Sequence, residues 1–183
     1  FGRVVVYDVL KKTRLLLPET SDGSPTLLAI NSRDNSILFS EAKNGSINFN
    51  TLSLESPYKE RPLAADLGIR SKWSRSHKKE WLGYTDEGPT RASRICLRSL
   101  IDGVERCFAL TKEPDLSFLS YETVHYPAAD GKMIEAFLIR PKNFSGPLPT
   151  IVVAHGGPTY HSFHEYVENP YSLGTPFSTA SMV

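Results

Sequence analysis

The residues best suited to chemistry are His155-Gly156-Gly157-Pro158. They follow Thr150-Ile151-Val152-Val153-Ala154, an apolar run of the kind that forms a central strand buried on both faces. Two glycines at the carboxyl end of such a strand let the backbone approach a ligand closely and aim its N–H groups inward. Donors placed there stabilise the charge that develops on a carbonyl oxygen during acyl transfer, and losing one costs about 2.7–4 kcal/mol. Pro158 restricts Gly157 and stiffens the exit from the loop. His155 reads as a loop-fixing hydrogen-bonder rather than a base. The alternative is a simple strand-to-loop turn.

Other candidates carry less. His155, His161 and His164 fall within ten residues, but zinc needs more ligands at fixed spacing, and only Glu165 lies near. No metal or cofactor is expected. Phe163, Tyr166 and Tyr171 could line an acyl pocket or cover a core, with the core reading slightly ahead. Arg70, Lys72, Arg75, Lys78 and Lys79 make a basic stretch that reads as a solvated loop rather than a phosphate patch. Asn44-Gly45-Ser46 and Asn143-Phe144-Ser145 match the glycosylation acceptor pattern by chance.

The elements that must position these residues are mostly strands. Val4–Leu10, Leu27–Asn31, Ile37–Ser40, Ile47–Leu54 and Trp81–Thr85 are short apolar or alternating runs, punctuated by Asp22-Gly23 and Asn44-Gly45. Pro57–Pro62 reads as a surface connection. No helical period is convincing before Tyr160, and no exact repeat is visible. Even spacing of short strands suggests a sandwich, barrel or propeller. After Pro114 come Tyr121–Tyr126, Asp130-Gly131 and Met133–Arg140, then the buried-strand pattern. A buried strand feeding a glycine-rich loop belongs to α/β architecture.

Arg94–Leu100 and Val104–Leu110 bracket Asp102-Gly103, the clearest hairpin signal. A two-residue turn there pairs Cys107 with Arg98 and Cys96 with Ala109. The two cysteines then lie diagonally, about 7–8 Å apart, which predicts no disulfide. Two unpaired thiols and no leader favour a reducing, cytoplasmic setting.

Tyr121–Tyr126, Ala129-Asp130-Gly131-Lys132, Ile134–Pro141 and Pro149–Pro158 together resemble the start of the catalytic domain of prolyl-oligopeptidase-type serine peptidases. That resemblance implies a β-propeller followed by an α/β-hydrolase domain. Upstream, Gly2–Val9, Ser24–Leu28 and Leu67-Gly68-Ile69-Arg70 are similar, more loosely, to acylamino-acid-releasing enzymes. The implied arrangement is a partial propeller over residues 1–116 and the N-terminal strands of the hydrolase over 117–183. By the family's motif Gly157 donates its N–H to the oxyanion and Gly156 shapes the loop, while His155 and Pro158 are structural. No Gly-x-Ser-x-Gly occurs, and Ser162, Ser172 and Ser178 lie in other contexts. The family's chain order places the triad Ser, Asp and His beyond Val183. Residues after Pro170 depart from the family pattern.

Composition sets the outer bounds. The chain has 183 residues, with 21 Lys+Arg against 20 Asp+Glu, and 40% are hydrophobic. That excludes disorder and gives no footprint for nucleic acid. No apolar stretch approaches the ~20 residues of a membrane span. A start at Phe1 and a stop at Val183 read as a piece of a longer protein. The expected activity of the whole is release of an N-acylated residue from short blocked peptides through an acyl-enzyme. A homo-oligomer is allowed. The alternatives are an inactive binding or scaffold fragment, and an esterase. Unpaired strand edges in such a fragment predict a marginal, aggregation-prone chain.

Overall fold

The computed structural model describes residues 5–16, 25–31, 34–55, 58–63, 66–78, 80–110, 112, 115–154 and 163–166. These contain twelve strands and no helix.

The chain opens with an antiparallel hairpin, β1 (Val5–Asp8) and β2 (Thr13–Leu16). Asp8 turns it by accepting the N–H groups of Leu10 and Lys11 at 3.0 and 2.9 Å. A first four-strand meander follows: β3 (Thr26–Asn31), β4 (Ser36–Lys43), β5 (Ser46–Ser53) and β6 (Glu60–Pro62), each antiparallel to the one before. A second has the same plan: β7 (Ile69–Arg75), β8 (Trp81–Gly88), β9 (Arg91–Ser99) and β10 (Glu105–Ala109). The two join into one open sheet where β5 meets β7 in parallel at Ile47 and Ile69. Successive four-strand antiparallel units are the blades of a propeller, so the open sheet fits part of one.

Packing agrees with that plan. Leu28, Ala29, Leu38 and Phe49 of the first meander form one core with Leu82, Tyr84 and Cys96 of the second. The Phe49 and Tyr84 rings meet edge to face at 5.0 Å. On the opposite face Ile37, Phe39 and Leu52 are covered by Val6 of β1. The first meander is therefore sandwiched. The second is covered on one face only, leaving Ile95, Leu97 and Phe108 exposed.

Four local expectations change. Glu60–Pro62, read as a connection, is a short strand paired to β5, with Pro62 opposite Asn50. Proline is tolerated there because the strand ends at it and lies at an edge. The basic stretch, read as a loop, is β7 through Arg75, because Arg70 points inward onto acidic partners. Its bulge at Lys72, φ 47°, turns the following residues outward.

The third concerns the cysteines. Six residues rather than two separate the last ladder pair, Arg98 and Glu105, so the register moves by two. Ser99 accepts Gly103 N–H and donates to Val104 O within that turn. Cys96 and Cys107 become direct partners with Cα atoms 4.1 Å apart, and they form a disulfide. The expected free thiols fall with the register.

The fourth is the apolar run. Ile151, Val152 and Val153 are exposed and unpaired, not a buried central strand. Before it, β11 (Leu119–Pro127) and β12 (Met133–Pro141) form a two-stranded antiparallel sheet of their own, turned at Asp130-Gly131. No other described strand flanks residues 150–154, so no ladder among the described residues takes up their backbone groups. The α/β-hydrolase portion expected after residue 117 is not seen among the described residues, which hold this hairpin and no helix.

Candidate functional site

The glycine-rich loop, His155-Gly156-Gly157-Pro158, lies outside the described residues, as do His161, Ser162, Tyr171, Ser172 and Ser178. What the structure shows is how the chain is fastened just downstream, at 163–166.

That fastening begins with the β4–β5 turn. Asn44 and Gly45 both take left-handed φ angles, 48° and 68°, the pairing a two-residue hairpin turn requires. The turn presents two carbonyls away from its own strands. Gly45 O accepts the His164 N–H at 2.7 Å. Asn44 O accepts from His164 Nε2 at 2.9 Å. A carbonyl can only accept, so Nε2 carries the proton. The other ring nitrogen, Nδ1, then accepts the Tyr121 hydroxyl at 2.9 Å. The imidazole is 1% exposed and stacks at 4.4 Å on the Phe137 ring, with Tyr121 edge-on at 5.4 Å. Gly45 has no room for a side chain, since a Cβ would lie 2.6 Å from Phe137.

Electrostatics follow from burial. Desolvation lowers the His164 pKa below the usual histidine value, against the Asn44 hydrogen bond and the Glu135 charge. Desolvation likewise raises Tyr121, helped by Glu165 and Glu135. Glu165 is raised by burial and by Glu87. Glu87 is raised by burial and by Asp86, with Lys72 opposing. With both ring nitrogens occupied by protein partners, His164 is a core histidine rather than a metal ligand. Tyr166 packs on Leu116 and Leu119 with Tyr121 and Ile139, which is the core role.

A second polar centre stiffens the neighbouring meander. Asp86 is 1% exposed. It accepts from Arg91 Nε and Arg94 Nε, both at 2.9 Å, and pairs with Arg70 at 3.4 Å. Arg70 also bonds Asn48 and Asp66, and Arg91 reaches Asp66 at 3.0 Å. Burial alone would raise Asp66, but Arg70 and Arg91 bring it below the usual carboxylate range. Beside this network lies a cleft of about 240 Å³ between Asp66-Leu67, Gly88–Arg91 and Tyr121. Cys96, Cys107 and Glu105 sit close enough to suggest a metal trio. The disulfide takes both sulfurs out of play.

The sequence marked Asn44-Gly45 as a turn and Tyr121 as a strand residue, but not as partners of His164. The Asn44–His164 contact spans 120 residues and leaves no local signal.

No family model and no curated protein sequence matches the chain. Solved structures do. The chain is similar to one of two prolyl endopeptidases studied for inter-domain dynamics in catalysis and specificity: 19% identity, TM-score 0.57, covering 78% of this chain and 22% of that one. It is similar to the AtxE2 isopeptidase with an astexin bound: 16% identity, TM-score 0.60, covering 93% and 26%. A post-proline cleaving enzyme from Rickettsia typhi gives 17% identity, TM-score 0.52, covering 79% and 22%. The chain thus spans about a quarter of the length of these structures. The likeness shows the fold: a β-rich chain built like part of these peptidases.

Proposed function

We propose that this chain is part of a serine peptidase of the prolyl-oligopeptidase type. The observation that supports the reading best is the fold likeness to prolyl endopeptidases and an isopeptidase. Added to it is the order of motifs in the sequence, which leads from a strand-rich region through Asp130-Gly131 and Arg140-Pro141 to His155-Gly156-Gly157-Pro158.

Within that class we place the activity at release of an N-acylated amino acid from a short blocked peptide. Gly2–Val9, Ser24–Leu28 and Leu67–Arg70 support this finer reading through their similarity to acylamino-acid-releasing enzymes. In the proposed reaction a seryl oxygen attacks the carbonyl carbon of the first peptide bond, and an imidazole takes its proton. The carbonyl oxygen becomes an oxyanion that accepts the Gly157 N–H. The C–N bond then breaks, the imidazole returns the proton to the leaving amine, and water hydrolyses the acyl-enzyme. The 183 residues contain no Gly-x-Ser-x-Gly. The serine, the aspartate and the catalytic histidine belong, on this reading, to sequence following Val183.

The test uses the longest protein encoded by the transcript. It is expected to cleave acetyl-alanine 4-nitroanilide and to lose that activity to a serine-directed phosphonate. Gly157→Pro, which removes the N–H, is expected to lower kcat about 10²–10³-fold with little change in KM. A downstream sequence lacking Gly-x-Ser-x-Gly followed by Asp and His would end the peptidase reading. The missing nucleophile motif supports a second reading, in which the 183-residue chain acts as a binding or scaffold piece without turnover.

A further inference from the structure

Three stretches far apart in sequence converge on one buried imidazole: the β4–β5 turn, the β11–β12 hairpin and segment 163–166. We propose that His164 is an acid-sensitive latch, holding segment 163–166 and the hairpin against the turn while neutral and releasing them when protonated. The proposal rests on this geometry and not on the peptidase reading.

The hydrogen bonds fit only the neutral ring. Nε2–H donates to Asn44 O, and Nδ1 accepts from Tyr121. A proton on Nδ1 would meet the Tyr121 hydroxyl hydrogen, so that hydroxyl must turn away and lose its acceptor. The charge would then sit 1% exposed, with no carboxylate bonded to the ring among the described residues. From β12, Glu135 favours the cation but is shared with His125 at 3.1 Å. From β11 comes Tyr121, whose burial keeps it neutral. The turn offers only the Asn44 and Gly45 carbonyls, with Lys43 ending β4. Glu165, on the same segment, interacts with Tyr121 and with Glu87 of β8. The Phe137 ring face compensates the cation in part.

The sign follows from linkage. The folded pKa lies below the unfolded value of about 6.5. Docking is therefore at full strength above about pH 6.5. It weakens as pH falls, by up to about tenfold per unit until the folded pKa is reached. The Glu165–Glu87 pair works the other way, since both carboxyls are raised and acid relieves their repulsion. Glu165→Gln removes that opposition and should steepen the acid release.

Amide hydrogen exchange of the chain at pH 7.5 and 5.5, corrected for intrinsic rates, reads the latch directly. The expected result is at least about fivefold faster opening of residues 43–46 and 163–166 at pH 5.5, with β8 and β9 unchanged. His164→Phe fills the site without titrating and should abolish the acid release, leaving only the opposite contribution of the Glu165–Glu87 pair. Imidazole nitrogen NMR of the unmutated chain gives a second readout, needing no variant: an Nε2–H tautomer titrating below pH 6.5. Titration at or above 6.5, the opposite tautomer, or protection independent of pH would overturn the proposal.

Discussion

In β4, Ile37, Leu38 and Phe39 are 3–6% exposed, whereas Ile151, Val152 and Val153 are 50–87% exposed. The residue types are nearly the same. Their surroundings differ. β4 has β3 on one side and β5 on the other, so its backbone is satisfied and both faces meet apolar partners. The run at 150–154 has no strand beside it among the described residues. An apolar β-branched stretch thus carries a propensity for burial, and only neighbouring strands realise it. The second meander is intermediate, with one face in the core and the other, bearing Ile95, Leu97 and Phe108, open.

Four substitutions probe that contrast, from the largest effect to the smallest. Asp86→Ala leaves the Arg70, Arg91 and Arg94 guanidiniums without their shared buried carboxylate. It is expected to cost about 3–5 kcal/mol in urea unfolding. A cost below about 1 kcal/mol would mean the meander interior is wetter than its burial indicates.

Replacing Cys96 and Cys107 together by alanine frees β10 from β9. The expected loss is about 2–4 kcal/mol, matched by the unmutated chain under a dithiol reductant. Equal stability with and without reductant would show that edge strand β10 is held by its ladder alone. Gly45→Ala forces a side chain into a left-handed turn against Phe137. It should cost about 1–3 kcal/mol, measured by the thermal midpoint. The loss should shrink in a Phe137→Leu background, because the clashing ring is gone. Last, Val152→Lys should change stability by less than about 0.5 kcal/mol, as for any exposed position. A loss of several kcal/mol in the longest encoded protein would show that the run finds partner strands there.

Much of the meander architecture was legible. Alternation in Ile47–Leu54, the Asn44-Gly45 and Asp130-Gly131 turns and the apolar run in β8 are local signals, and strands stand where they point. What failed depended on partners or on loop length. Asp102-Gly103 does sit in the β9–β10 turn, but the turn also takes in Ser99 and Val104, and a register two residues off hid the disulfide. Arg70 looked solvated because its neutralising carboxylates, Asp66 and Asp86, lie outside the basic stretch. Gly156 and Gly157, which we propose for the oxyanion hole, are legible only as a motif and lie outside the described residues. In the sequence His164 is one of three clustered histidines, and its partners lie 43 and 120 residues away.

Those separations also order events in time. The meander strands pair with neighbours a few residues off, so their hairpins can close within microseconds. Bringing His164 to Asn44 closes a loop of 120 residues, and relative to a ten-residue hairpin that costs about 2 kcal/mol more chain entropy. The imidazole can dock only after both the β4–β5 turn and the β11–β12 hairpin exist to receive it. Its contacts are therefore expected to carry φ-values near zero, while turn residues such as Gly45 carry high ones. A His164 substitution would then speed unfolding and leave the folding rate nearly unchanged.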